Sequence, residues 1–169
     1  DKSFYMDGNI KIGNFIFSGK NIAFDYHNFN FDFDINSVLS FIDDRTFQLS
    51  SSLIYFDDAQ LFVDSCNNKS GLDKLNSFPR FQVLDKSYFA YTDKASSFIV
   101  DPFELKYIYD ISLSNLSFPG NMYISSDTIN FRSVLSFDDN LNLATQINSI
   151  DSAYIFDDRV LFSGDLYLN

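Results

Sequence analysis

The chain has no tryptophan, one histidine, one cysteine, three prolines and six glycines in 169 residues. Each scarcity removes a class of explanation. A single cysteine, Cys66, cannot form an intrachain disulfide. Lys69 is the one cation near it in sequence, too little to mark a reactive thiol, so Cys66 reads as unreactive. The lone His27 would have to serve any Ser-His-Asp or Cys-His triad. It sits in "DYHNFN", a turn pattern, and no nucleophile-elbow motif accompanies it. Basic residues are also few: 12 Lys and Arg against 23 Asp and Glu, scattered along the chain, for a net charge of -11. Binding to nucleic acid needs clustered cations and is excluded as a partner class; attraction to an anionic bilayer surface is disfavoured for the same reason. No apolar run reaches the roughly 18 residues that a membrane-spanning helix needs. A Gly-rich phosphate loop, CxxC and HExxH are all missing, so no cofactor, no metal and no enzymatic activity are expected. The chain begins at Asp1, which reads as a mature segment or a piece of something longer.

Phenylalanine and tyrosine are abundant, 21 and 10 respectively. Aromatic and β-branched residues fit a pleated, half-buried surface, and strong helix formers are thin by comparison. Short apolar or alternating runs such as "IKI", "FIF", "FNFDFDI", "FQLSSSLIYF" and "TINFRSVLSF" are punctuated by Asp7-Gly8-Asn9, Gly13-Asn14 and Ser18-Gly19-Lys20-Asn21, hairpin signals that tolerate positive φ. No segment carries helical periodicity. The reading is all-β, a mostly antiparallel meander.

Parts of the text recur about 100 residues later, a spacing that suggests duplicated units. "NSVLSFIDD" at 36–44 parallels "RSVLSFDDN" at 132–140, "IYFDDAQLFVD" at 54–64 parallels "YIFDDRVLFSG" at 154–164, and "GNFIFSGKN" at 13–21 resembles "SNLSFPGNM" at 114–122. Two related β units are therefore expected, 3–64 and 103–169, joined by a different segment at 65–102. That segment opens with a polar loop at 64–81 and continues with two short strands, "SYFAYTD" and "SFIVDPF". The expected fold is a repeat-built sheet curled into an open groove or solenoid-like taco, with a closed β-sandwich as the alternative.

The acidic pairs Asp43-Asp44, Asp57-Asp58, Asp138-Asp139 and Asp157-Asp158 lack the loop spacing of a calcium site and sit where strands end, so they read as turn carboxylates. "NKS" at 68–70 and "NLS" at 115–117 match the glycosylation pattern. The strongest feature is the alternation in "FNFDFDI", which puts Phe29, Phe31, Phe33 and Ile35 on one side and Asn30, Asp32 and Asp34 on the other. A packed core and a groove lining have the same period, so both readings stand.

The stretch from "VDSCNNKSGLDKLNSFPRF" to "NMYIS", about 63–125, resembles segments of very large, uncharacterised cell-envelope proteins of Bacteroidota related to the AsmA/TamB group. The resemblance is carried by Asn68-Lys69-Ser70-Gly71, Phe78-Pro79, Ser87-Tyr88 and Asp101-Pro102-Phe103. It implies a non-enzymatic piece of a long β-rich envelope protein, whose partners are lipid acyl chains and neighbouring repeats of the same chain. Set against that resemblance, the stretch is expected to lack the membrane anchor and C-terminal domain of a complete member. Candidate groove residues are Phe29, Phe31, Phe33 and Ile35, with Phe131, Val134 and Leu135 from the second unit. Two rivals remain open. One is a structural or adhesive module with the phenylalanines as core. The other is a carbohydrate-binding domain that exposes Tyr5, Tyr26, Tyr88 or Tyr91 beside carboxylates.

Overall fold

A computed structural model describes residues 3–43, 45–90, 96–124, 129–145, 150–155 and 160–164, with backbone alone at Ala90, 150–155 and 160–164. The architecture is all-β. In chain order the strands are β1 (Ser3–Ile12), β2 (Phe15–Asp25), β3 (Asn30–Phe33), β4 (Ser37–Ile42), β5 (Leu49–Phe56), β6 (Ala59–Phe62), β7 (Arg80–Val83), β8 (Ser87–Ala90), β9 (Ser96–Val100), β10 (Glu104–Lys106), β11 (Ser117–Ile124), β12 (Ile129–Phe137), β13 (Leu143–Thr145), β14 (Ile150–Ile155) and β15 (Val160–Gly164). Single 3-10 turns at Ile108–Asp110 and Leu113–Asn115 are the helical segments among the described residues. All fifteen strands belong to one antiparallel sheet that does not close. Of the expected polar loop at 64–81, residues 80 and 81 are in β7, a strand the sequence did not reveal.

A crease crosses this sheet. The N-terminal half of β2 pairs with β4 and its C-terminal half with β3, so β3 and β4 are one chain pass broken at 34–36. The next passes repeat the pattern. β5 pairs with β4 and β6 with β3, with a break at 57–58; β8 pairs with β5 and β7 with β6, with a break at 84–86; β9 pairs with β8 and β10 with β7, with a break at 101–103. The residues at the breaks explain the fold line. Where the ladder lapses, aspartates take over as acceptors: Asp7 for the Asn21 N–H at 2.6 Å, Asp34 for Ile35 at 2.8 Å, Asp57 for Asn36 at 3.0 Å and Asp85 for Lys86 at 2.7 Å. Asn21 and Asn36 hold φ of 55° and 62°, which asparagine tolerates better than most residues. Pro102 has no N–H to contribute to a ladder. The acidic residues are thus hinge acceptors in mid-pass as well as turn residues. Asp44 and Asp157-Asp158 lie outside the described residues.

Both arms turn an apolar face inward. On one arm a row of directly opposed residues runs Ile10, Phe17, Leu39, Ile54, Phe89, Phe98, Met122, Phe131. On the other it runs Phe4, Phe24, Phe31, Leu61, Phe81, Leu105. Folding at the crease brings strands that are not neighbours into contact. The rings of Phe17 and Phe81 lie 4.6 Å apart, those of Phe41 and Phe137 5.0 Å, and those of Phe103 and Phe118 4.9 Å. Side chains tie the curl. Ser52 Oγ accepts the Leu143 N–H at 2.9 Å, Ser50 Oγ donates to Leu141 O at 3.3 Å, and Arg45 donates to Asp139 O at 3.1 Å. The taco is therefore filled by its own phenylalanines. Each fully buried ring contributes about 2–3 kcal/mol of transfer free energy.

Candidate functional site

A large, mostly apolar opening lies at the β1 end of the folded sheet. It is a cavity of about 680 Å³, within the ~300–1,000 Å³ range of ligand sites. Its floor is Ile10 and Ile12 from β1, Phe29, and Phe31 from β3; its wall is the 64–79 segment, through Leu75, Phe78 and Pro79. Tyr107 and Tyr109 close one side, and Asp64, Asn68, Lys69, Asp73 and Lys74 form a polar rim.

The wall is a fixed structure with no strand in it. Asn68 is buried and serves as its hub. Its Nδ2 donates to Asp64 Oδ2 at 3.0 Å and to Asp73 O at 2.7 Å, and its Oδ1 accepts the Asp73 N–H at 3.2 Å. The glycosylation pattern at 68–70 thus falls on an amide already committed to the fold, whereas Asn115 is exposed. Lys69 stands over the Tyr26 ring at 4.4 Å. At the far end, Arg80 lies over Phe62 at 4.3 Å and near Phe78 at 5.7 Å, and pairs with Glu104 at 3.3 Å. The Ile108 N–H donates to Pro79 O at 3.2 Å, joining the wall to the tyrosine side.

The backbone is strained where the cavity forms. Phe29 and Tyr107 adopt φ of 57° and 50°, left-handed values that cost a bulky residue free energy, and Gly71 on the rim has φ 66°. The Phe29 carbonyl accepts from Val63 at 3.1 Å, which holds the unusual conformation in place.

The sequence-derived candidates divide three ways. Phe29 and Phe31 line the cavity together. Phe33, Phe131 and Leu135 are buried in the protein core instead, Phe33 beside Phe17, Phe56 and Phe81. Ile35 is 65% exposed because the strand ends at Phe33 and the residue falls in the crease; Val134 is 42% exposed because it adjoins Leu135 in a strand and must face the other way. The alternation does not extend to Phe29, whose left-handed backbone re-aims the chain. Ile10, Ile12, Leu75, Phe78 and Tyr107 were missed. Leu72, Leu75 and Phe78, evenly spaced in an otherwise polar loop, were the available signal.

Other chemistry is sparse. Among the described residues no group of three His, Cys, Asp or Glu side chains is placed to hold a metal ion. His27 is exposed in its turn and its N–H donates to Asp25 Oδ1 at 2.7 Å, which, with Asn28, holds the Asp25 carboxyl below its ordinary value. On the outer face Arg132 hydrogen bonds to both oxygens of Asp101 and lowers that carboxyl too. Tyr55 and Tyr88 stack on each other at 4.9 Å and 9°, which spends a ring face of each and makes a poor sugar platform. Burial, then the nearby Asp57, pushes the Tyr88 phenol up. Tyr91 lies outside the described residues. No helix is long and apolar enough to cross a membrane among the described residues.

No family model, curated protein or solved structure matches the chain.

Proposed function

We propose that the chain is a non-enzymatic, acyl-chain-binding segment of a larger β-rich cell-envelope protein, and that the lipid site is the cavity under the 64–79 wall. The observation that carries this reading is the convergence of an apolar floor, Phe29 and Phe31 with Ile10 and Ile12, and a pinned wall in one open cavity. Two lysines on its rim, Lys69 and Lys74, suit the anionic head of a fatty acid or phospholipid in a chain that is otherwise strongly acidic. Binding of this kind is driven by methylene burial. Ten buried methylenes would supply about 8 kcal/mol before the cost of ordering the ligand, so a single chain binds no tighter than about micromolar. A site of this size holds one acyl chain. Passage of lipid over long distances would belong to a parent protein in which neighbouring repeats continue the path.

The test is native mass spectrometry of gently purified protein, followed by titration with a fluorescent fatty acid. The reading expects a co-purified acyl lipid, or saturable probe binding, that Phe31→Asp and Leu75→Asp both reduce about tenfold or more. Leu75 sits half-exposed on the wall, so its substitution spares the core. A clean protein mass with no saturable probe binding would sink it. The filled interior around Phe33, Phe131 and Leu135 favours, in that event, the second reading: a structural module whose phenylalanines serve packing alone.

A further inference from the structure

The two described sheet margins formed by β1 and β10 are built differently. β10 is three residues long, and its Glu104 is engaged by Arg80 at 3.3 Å and by Lys106 at 3.0 Å. Short, charged edges of this kind resist the addition of further strands. β1 is ten residues long, and among the described residues its ladder partner is β2 alone. Every second residue of β1 therefore turns its N–H and C=O away from β2. The irregularity lies opposite Asp7, where Lys20 and Asn21 of β2 face that single residue, one more than a regular ladder holds; β1 keeps its alternation through it with Gly8 at φ 145°. One face of β1 carries Phe4, Met6, Gly8, Ile10 and Ile12, of which Ile12 is buried, Met6 and Ile10 are half-buried and Phe4 is exposed; the other face is polar apart from Tyr5.

We propose that the free edge of β1 pairs antiparallel with β1 of a second copy, about a two-fold axis at Asn9. The side chains choose this occupant and register. Centring on Asn9 sets Asp7 opposite Lys11 of the other copy, twice by symmetry, so both charges of each strand are matched. The same register sets Met6 against Ile12 and Gly8 against Ile10 on the apolar face. Centring one residue earlier leaves Asp7 opposite Asn9 and Lys11 opposite Tyr5. Directly opposed unlike charges stabilise a strand pair, and like charges destabilise it. The two-fold axis stands perpendicular to the sheet, so the paired copies share one continuous sheet with both 680 Å³ cavities on the same face. The interface does not depend on what the cavities hold.

Analytical ultracentrifugation of the intact chain, with cysteine cross-linking in a Cys66→Ser background, tests this. The expected result is a reversible dimer that Lys11→Asp weakens about tenfold, by replacing two attractive pairs with two repulsive ones. Asn9→Cys, at the axis, oxidises to a covalent dimer, whereas Lys11→Cys does not. Both positions are exposed, so the fold tolerates the changes. A monomer at concentrations on the order of 1 mM overturns the proposal and leaves the edge to another chain. So does a dimer that Lys11→Asp leaves unchanged, or one that Lys11→Cys links as readily as Asn9→Cys.

Discussion

Replacing Phe81 by alanine tests the folded-sheet core at its centre. Phe81 is fully buried on β7, and four rings surround it: Phe17 at 4.6 Å, Phe56 at 5.3 Å, Phe103 at 6.1 Å and Phe33 at 6.2 Å. Phe17 and Phe56 belong to the opposite arm, so the ring bridges the crease as well as filling it. Truncation of a buried phenylalanine costs about 3–5 kcal/mol, and the loss of edge-on aromatic contacts places this site near the upper end. That is a large part of the 5–15 kcal/mol typical of a whole domain. Urea unfolding followed by circular dichroism or tyrosine fluorescence reads the effect directly. With a slope of about 2 kcal/mol per molar urea, the midpoint should fall by roughly 2 M. Phe47→Ala is the control: its side chain is 82% exposed, and its removal should cost under ~0.5 kcal/mol. If Phe81→Ala costs less than about 1 kcal/mol, the two arms do not pack as described and the filled-taco account fails.

Three further outcomes follow from the same geometry. Phe29→Gly relieves left-handed strain of order 1 kcal/mol while deleting a ring that touches Phe24 and Tyr26, so thermal stability should move little while acyl-probe affinity drops. Asn68→Ala leaves the Asp64 carboxylate, the Asp73 carbonyl and the Asp73 N–H without their partner, and should cost about 1–3 kcal/mol locally; limited proteolysis should then cut within 64–79 far faster than in the parent chain, and equal rates would contradict the hub role. For pH, Asp25, Asp43 and Asp101 are held below the ordinary carboxyl value of 3.8 by hydrogen bonds made in the fold. A depressed folded pKa stabilises the protein above the unfolded value and loses that contribution as pH falls through the folded one. Urea midpoints should therefore decline below about pH 4, and Arg132→Met should flatten the decline by releasing Asp101.

Strand identity was legible because period-two alternation survives in most passes, and Phe31 and Phe33 do share a face. The crease was not legible. Asp34, Asp57 and Asp85 look like turn residues in the text, and nothing local says that the chain continues in the same direction beyond them. Reading Phe29 to Ile35 as one uninterrupted strand therefore overran it at both ends: Phe29 is left-handed, and Ile35 lies on the fold line. Val134 could have been separated from Leu135 by strand parity alone. The cavity was half legible. Phe29 and Phe31 were in hand, but Ile10, Ile12 and Tyr107 reach them only through tertiary folding, and the wall's loop composition concealed its apolar side. The stretches that read alike at 36–44 and 132–140 lie in strands with corresponding neighbours, β4 between β2 and β5, β12 between β11 and the β13–β14 line.

Photolabelling with a diazirine-bearing fatty acid, followed by peptide mapping, would test the lipid reading at the level of residues. The account predicts adducts on the 64–79 segment and on the peptide holding Phe29 and Phe31, competed away by excess unlabelled fatty acid and lost in Leu75→Asp. Adducts spread over the surface without competition, or confined to peptides of the outer face around Tyr55 and Tyr88, would contradict it.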